Sequence, residues 1–233
     1  MAEELDDEAE NPFSDSRRFG GKFPAARGAG TIRERGGLKA VDAGVAHHKF
    51  LQHFSFERAV DLKSFKAEAD SLEKEGYLSV EEAAALDLRA LADFWDSEIG
   101  KRIRANAAFV RRELAFTAGF SPVELDKIFG RNSKANLSNE TIVVQGVADL
   151  VALLPKEIWL VDFKTDDVRA KDLPEKTQFY STQLTLYARA LEKIYSRPVT
   201  NCWLHFLSVR KTVPIWQGRA TAQPRPTSRS ALP

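Results

Sequence analysis

The sequence reads Gly146-Val147-Ala148-Asp149-Leu150 and, after a Pro155-Lys156 break, Trp159-Leu160-Val161-Asp162-Phe163-Lys164-Thr165. Both runs are short, apolar and rich in Val, Leu and aromatic residues, the pattern of β-strands. Side chains alternate along a strand, so Asp162 and Lys164 project to one side. A hairpin turning at Leu154-Pro155-Lys156-Glu157 sets Asp149 directly opposite Asp162. Opposed like charges destabilise a cross-strand pair. A cation between the two carboxylates relieves that repulsion and leaves the adjacent lysine free to serve chemistry at the metal.

Working outward, 233 residues bury a substantial core as one ordinary domain with extensions. Hydrophobic content of 43% and charged content of 29% are those of a soluble globular protein. A net charge of +1 excludes strong bulk attraction to nucleic acid but leaves room for a local basic patch. Cys202 stands alone, which excludes an internal disulfide framework and a cysteine-rich zinc or iron–sulfur site. No apolar run reaches membrane-spanning length, so no membrane partner is expected. The N-terminus is acidic where a signal peptide is basic and then apolar, and the expected compartment is cytoplasmic.

Residues 1–38 carry an acidic block (Glu3, Glu4, Asp6, Asp7, Glu8, Glu10), then bases among glycines, and are expected to form a disordered tail or linker. Residues 39–213 form the expected domain. Helices are predicted from Lys39 to about Phe54, with Val41, Val45, His48, Leu51 and Gln52 on one side, and over residues 57–75. A capping-box pattern at Ser79-Val80-Glu81-Glu82 opens a short helix to Asp87, and Leu88 to Asn106 reads as another. Phe109 to Thr117 reads as a strand, Ser121-Pro122 starts a short helix, and Arg131 to Asn139 is a polar loop. After the hairpin, residues 166–175 read as a charged loop. Thr177 to Tyr195 is a helix with Tyr180, Gln183, Leu184, Tyr187, Leu191 and Ile194 on one stripe. Asn201 to Val209 is the last predicted strand. Residues 214–233, rich in Pro, Arg, Ser and Thr, are expected to be a disordered tail.

Strands carrying acids beside a long helix suit metal-dependent phosphodiester hydrolysis. Two carboxylates hold a hard cation such as Mg2+ (Mn2+ is the other candidate), which polarises the phosphoryl oxygen and activates water. Lys164 is placed to orient that water or to stabilise the developing charge.

These residues resemble the PD-(D/E)XK nuclease superfamily in its RecB-type form. There the first acid sits in a G-x-x-D strand, here ending in Asp149, and the second in V-D-[FY]-K-T, here Asp162 to Thr165. Gln183-Leu184-x-x-Tyr187 is similar to the Q-x-x-x-Y motif of that branch. Gly44-x-x-x-His48 is similar to its G-T-x-x-H helix, and Arg112-Glu113 to its R-E strand. The likeness covers about residues 38–209 and is nearest to the nuclease domain of AddA-type helicase–nucleases.

The resemblance implies an α/β, restriction-endonuclease-like core: a mixed central sheet flanked by helices, with a helical N-terminal lead-in. It implies a metal held by His48, Asp149, Asp162 and the Phe163 carbonyl, with Lys164 as the catalytic lysine and Glu113 as an auxiliary acid. Gln183, Tyr187, Tyr180 and Arg112 would meet the substrate. The implied activity is an Mg2+-dependent exodeoxyribonuclease on single-stranded DNA ends, acting in break repair with a helicase domain or subunit of an AddA/AddB-type complex. A catalytically silent DNA-binding or scaffold module is the competing implication, disfavoured by the intact Asp149, Asp162 and Lys164. A nuclease for RNA or for host defence is a third.

Val45 stands where the family often has Thr, and no phosphate loop of the G-x-x-x-x-G-K-[ST] type is present. Lys101, Arg102, Arg104, Arg111 and Arg112 read equally as a phosphate-binding cluster or as a solvated helix end. Taken without the resemblance, the Gln183–Tyr187 stripe is core packing, and Glu113 serves one metal or two.

Overall fold

The computed structural model describes residues 40–130 and 140–217. The readings of the N-terminal tail, the Arg131–Asn139 loop and the last sixteen residues fall outside them.

A five-stranded mixed sheet forms the centre, in the order β1 (Val110–Phe120), β2 (Ile142–Leu153), β3 (Ile158–Lys164), β4 (Val199–Phe206), β5 (Lys211–Gln217). The first three strands form an antiparallel meander, β3 and β4 run parallel, and β5 returns antiparallel to β4. A parallel pair needs a long crossover, and the 23-residue helix α7 (Leu173–Tyr195) supplies it. Strand β3 is central and buried on both faces, which explains why Ile158 to Phe163 reads as an unbroken apolar run around one aspartate.

Helices α1 (Ala40–His53), α2 (Leu62–Lys74), α3 (Val80–Ala85), α4 (Leu88–Asp96) and α5 (Glu98–Ala105) precede the sheet. Phe50, Phe54, Phe65, Phe94 and Trp95 from this group pack on Leu150, Val161, Phe163 and Trp203 of one sheet face. Leu184, Ala188 and Leu191 of α7, with the short helix α6 (Pro122–Phe129), cover Phe116, Ala148, Leu160, Leu204 and Phe206 on the other. None of the described helices is long and apolar enough to cross a membrane.

The hairpin register is the one the turn dictates: Leu150 pairs with Val161 and Leu153 with Ile158. Several expected features are corrected. The helix expected from 57 starts at Leu62, because Asp61 caps it reciprocally with Ser64. The helix expected over Leu88–Asn106 breaks at Ser97, whose extended backbone ends α4 and whose side chain caps α5. Helix α7 begins at Leu173, four residues early, with Pro174 in its first turn, where a missing N–H costs nothing. Strand β5 was not foreseen, and it carries order through residues 214–217. Pro214 lies on this edge strand, where its missing N–H need not serve a ladder. Three stripe assignments also fail: Val45, Gln52 and Ile194 are exposed, and Ala46, Phe50 and Ala190 take the inward positions.

Candidate active site

The β2–β3 ladder stops at Leu150 and Val161, and the strands part beyond it. Asp149 and Asp162 are the first residues of the opening. Asp149 Oδ2 accepts a 2.6 Å hydrogen bond from the Phe163 N–H, so a side chain replaces the missing ladder contact.

On the other side of β2, Glu113 interrupts the β1–β2 ladder where it faces Asp149, between the pairs Arg112–Leu150 and Leu114–Ala148. Its φ is +47°, a left-handed backbone in a non-glycine residue. The pleat changes phase there. Val110 packs on the α1–α5 side, whereas Phe116, Ala118 and Phe120 pack on the α7 side. Backbone strain of this kind costs on the order of 1–3 kcal/mol and persists where the surroundings enforce it. Its consequence is that Glu113 reaches the imidazole of His48, Nδ1 to Oε1 at 3.4 Å.

Helix α1 delivers His48, whose Nδ1 also lies 3.6 Å from Asp149 Oδ1. The helix approaches β3 closely because Gly44 lacks a Cβ, which would stand 2.8 Å from Thr165 Oγ1. Arg112 ties down the far end of α1. Its guanidinium donates to the carbonyls of Leu51, Gln52 and Phe54 at 3.2, 3.1 and 2.6 Å and lies on the rings of Phe54 and Phe56. A cation at a helix C-terminus satisfies orphan carbonyls and complements the dipole. Arg112 was expected to meet substrate; its charge is instead turned inward. His47 is likewise structural: Nε2 accepts from the Asp87 N–H and Nδ1 donates to Ala43 O, which fixes it as a neutral imidazole. His53 stacks on Tyr77. The other bases of the expected cluster are also engaged, Arg102 on Trp159 and Arg104 on the Ala59 carbonyl.

His48, Glu113 and Asp149 offer ligand atoms that all lie within 4.8 Å of one another. Neighbouring ligands of an octahedral Mg2+ stand about 3 Å apart, so a small contraction closes these groups on one ion. Asp162 is outside that trio, a difference from the expected ligand set. Its buried Oδ2 faces Lys164 Nζ at 2.8 Å as an ion pair without good hydrogen-bond geometry. For Phe163 the contact at the site is its N–H on Asp149.

The charges explain each other. Burial pushes the Asp149 carboxyl well above the usual carboxylate range and the charge of Asp162 pushes it further, while His48 and Lys164 pull it back. Burial raises Asp162 as well, against the pull of Lys164 and His48. Burial draws His48 down, but the Glu113 hydrogen bond and the charges of Asp149, Glu113 and Asp162 outweigh it and raise the imidazole to about 9. Buried carboxylates that resist ionisation, gathered around a histidine, form a hard oxygen and nitrogen donor set suited to a divalent cation.

Helix α7 forms the opposite wall. Gln183 Oε1 accepts from Lys164 Nζ at 3.2 Å, and its amide donates to Tyr187 Oη at 3.1 Å. The Tyr180 ring lies 4.2 Å from Lys164 Nζ, and its hydroxyl donates to Asp166 Oδ2 at 3.0 Å. Tyr187 packs edge-on against Phe116 and needs Gly146, where a Cβ would meet both rings at 3.0 Å or less. Asp166, in the segment the sequence presents only as a charged loop, also pairs with Lys176 at 3.0 Å. Nothing local distinguishes it; its role depends on a helix ten residues later. The cleft measures about 530 Å³.

The family model of the PD-(D/E)XK nuclease superfamily matches residues 21–229. The chain belongs to this superfamily. Among its curated relatives are the ATP-dependent helicase/nuclease subunits A of Carboxydothermus hydrogenoformans, 34% identical over 73% of the chain, and of Moorella thermoacetica, 33% identical over 76%. That of Bacillus cytotoxicus is 31% identical over 78%. The chain spans only 12–15% of the length of these relatives. Like the superfamily it resembles, the chain has the mixed sheet flanked by helices that the resemblance implies.

Proposed function

We propose that this chain is the metal-dependent nuclease module of a helicase–nuclease, cutting single-stranded DNA from its ends. One observation carries the reading: two separately built groups meet at the same strand opening. One is the donor set His48, Glu113 and Asp149; the other is Lys164, held by Asp162, Gln183 and Tyr180.

The donor set His48, Glu113 and Asp149 would hold Mg2+ or Mn2+. Such an ion supplies Lewis-acid polarisation of the phosphoryl group and a more acidic water. Lys164 is the fixed cation of the site. Three contacts orient its ammonium, so it meets a scissile phosphate without reorganisation and stabilises charge on the non-bridging oxygens. Gln183 holds Lys164 and is itself held by Tyr187, so that α7 sets the lysine's position. Glu113 stands where it takes up a proton or adds a ligand. The relatives are helicase/nuclease subunits, and a motor that separates strands would deliver single-stranded ends to a module without base-reading motifs.

The test is cleavage of end-labelled single-stranded and duplex DNA and RNA by the purified chain with Mg2+, with Mn2+ and with chelator. Shortening of single-stranded DNA only in the metal arms is expected. Equal cleavage in chelator, or none in either metal, overturns the reading.

A further inference from the structure

Phe179, on α7, is 54% exposed, more than any other Phe, Tyr or Trp among the described residues. It lies beside the cleft. Its ring packs edge-on at 5.1 Å on Tyr180, which in turn covers the Lys164 ammonium. Lys176, Phe179 and Gln183 are spaced three and four residues apart on α7 and therefore share one face. Across the opening Val147 lines the cleft and is also half exposed. A cation at the scissile phosphate, an exposed aromatic side chain one ring away and a second cation a turn earlier, paired with Asp166 at 3.0 Å, repeat the order of a single strand, phosphate, base, phosphate.

From this placement we propose that Phe179 is a base-stacking subsite for the nucleotide next to the scissile phosphate, with Lys176 meeting the adjoining phosphate. The inference rests on the nuclease reading above. Every base has a π-face, so such a subsite accepts any sequence. It also needs an unpaired base, because a duplex keeps its faces stacked internally. The subsite therefore gives a preference for single strands without any base-reading contact. Tyr180 anchors the platform: its hydroxyl on Asp166 and its face on Lys164 leave the neighbouring ring facing solvent.

Binding is measured in chelator by fluorescence anisotropy with a labelled oligothymidylate, and with an abasic deoxyribose-phosphate oligomer of equal length. Phe179→Ala and Phe179→Leu are expected to weaken the oligothymidylate by about tenfold, and Phe179→Trp to restore it. The abasic oligomer is expected to bind the wild type and all three variants alike. Phe179→Leu keeps apolar bulk without a π-face, so it separates stacking from packing. Wild-type affinity in Phe179→Ala, or equal losses on the abasic oligomer, overturns the subsite. If the wild type still cleaves in metal, the nuclease reading then survives; a wild type that neither binds nor cleaves sinks both. Loss of helicase association with unchanged oligonucleotide binding would assign the ring to a protein partner instead and also overturn it.

Discussion

The two halves of the β2–β3 hairpin behave as different materials. From Leu150 to Leu153 and Ile158 to Val161 the strands are zipped, with Val151, Ala152, Ile158, Leu160 and Val161 fully out of water. One residue further, at Asp149 and Asp162, the ladder is gone and both side chains, the first partly buried and the second buried, are acids. The zipped half spends no polar groups and gains packing. The open half holds charges whose ionisation burial opposes. Sites of this kind sacrifice stability locally, and the rigid half-hairpin alongside keeps the opening at one width.

Substitutions in the open half should remove chemistry and leave the fold. Lys164→Ala and Asp162→Ala are each expected to lower kcat by about a thousandfold or more, the scale of losing a preorganised charged group. Circular dichroism should remain that of the wild type. Cleavage by either variant at a wild-type rate would dissolve the distinction between the halves.

The zipped half should answer in the opposite sense. Leu160 is completely buried against α7, and Leu160→Ala is expected to cost about 3 kcal/mol in urea unfolding through lost contacts and a cavity. At temperatures where the variant is folded, kcat should stay within about threefold of wild type. A large kcat loss with unchanged stability would mean that the two halves are not separable.

The same contrast explains what was legible in the sequence. The Leu154–Glu157 turn fixes the centre of the hairpin, and a fixed centre fixes every partner, so the meeting of Asp149 and Asp162 could be read from spacing alone. The Gln183–Tyr187 face followed from helical periodicity. Glu113's left-handed backbone could not be read, because no residue type signals strain imposed by two neighbouring strands. Arg112 misled because its partners are backbone carbonyls some sixty residues away, which carry no side-chain signature. Strand β5 was hidden by Pro214 and by the polar composition that follows it.

The smallest effect tests the charges of the open half directly, through the pH dependence of metal-induced stabilisation. In the metal-free protein His48 is raised to about 9 and the Asp149 carboxyl lies above its ordinary range. A group that binds its proton more tightly when folded stabilises the fold at low pH, and that stability is lost as pH rises through its folded pKa. Both groups act in this direction, so their joint contribution to the chelated protein's stability declines as pH rises, with the histidine's share fading up to about pH 9. A divalent ion needs both groups deprotonated and displaces those protons, so its stabilisation must grow over the same interval. The Tm increase in Mn2+ should accordingly be several degrees larger at about pH 8.5 than at about pH 6. Asp149→Asn should remove most of that difference, because it deletes a carboxylate donor and leaves the imidazole with fewer charges to raise it. A metal-induced shift independent of pH in the wild type would mean that the ion binds elsewhere, and that the opening at Asp149 and Asp162 does not hold it.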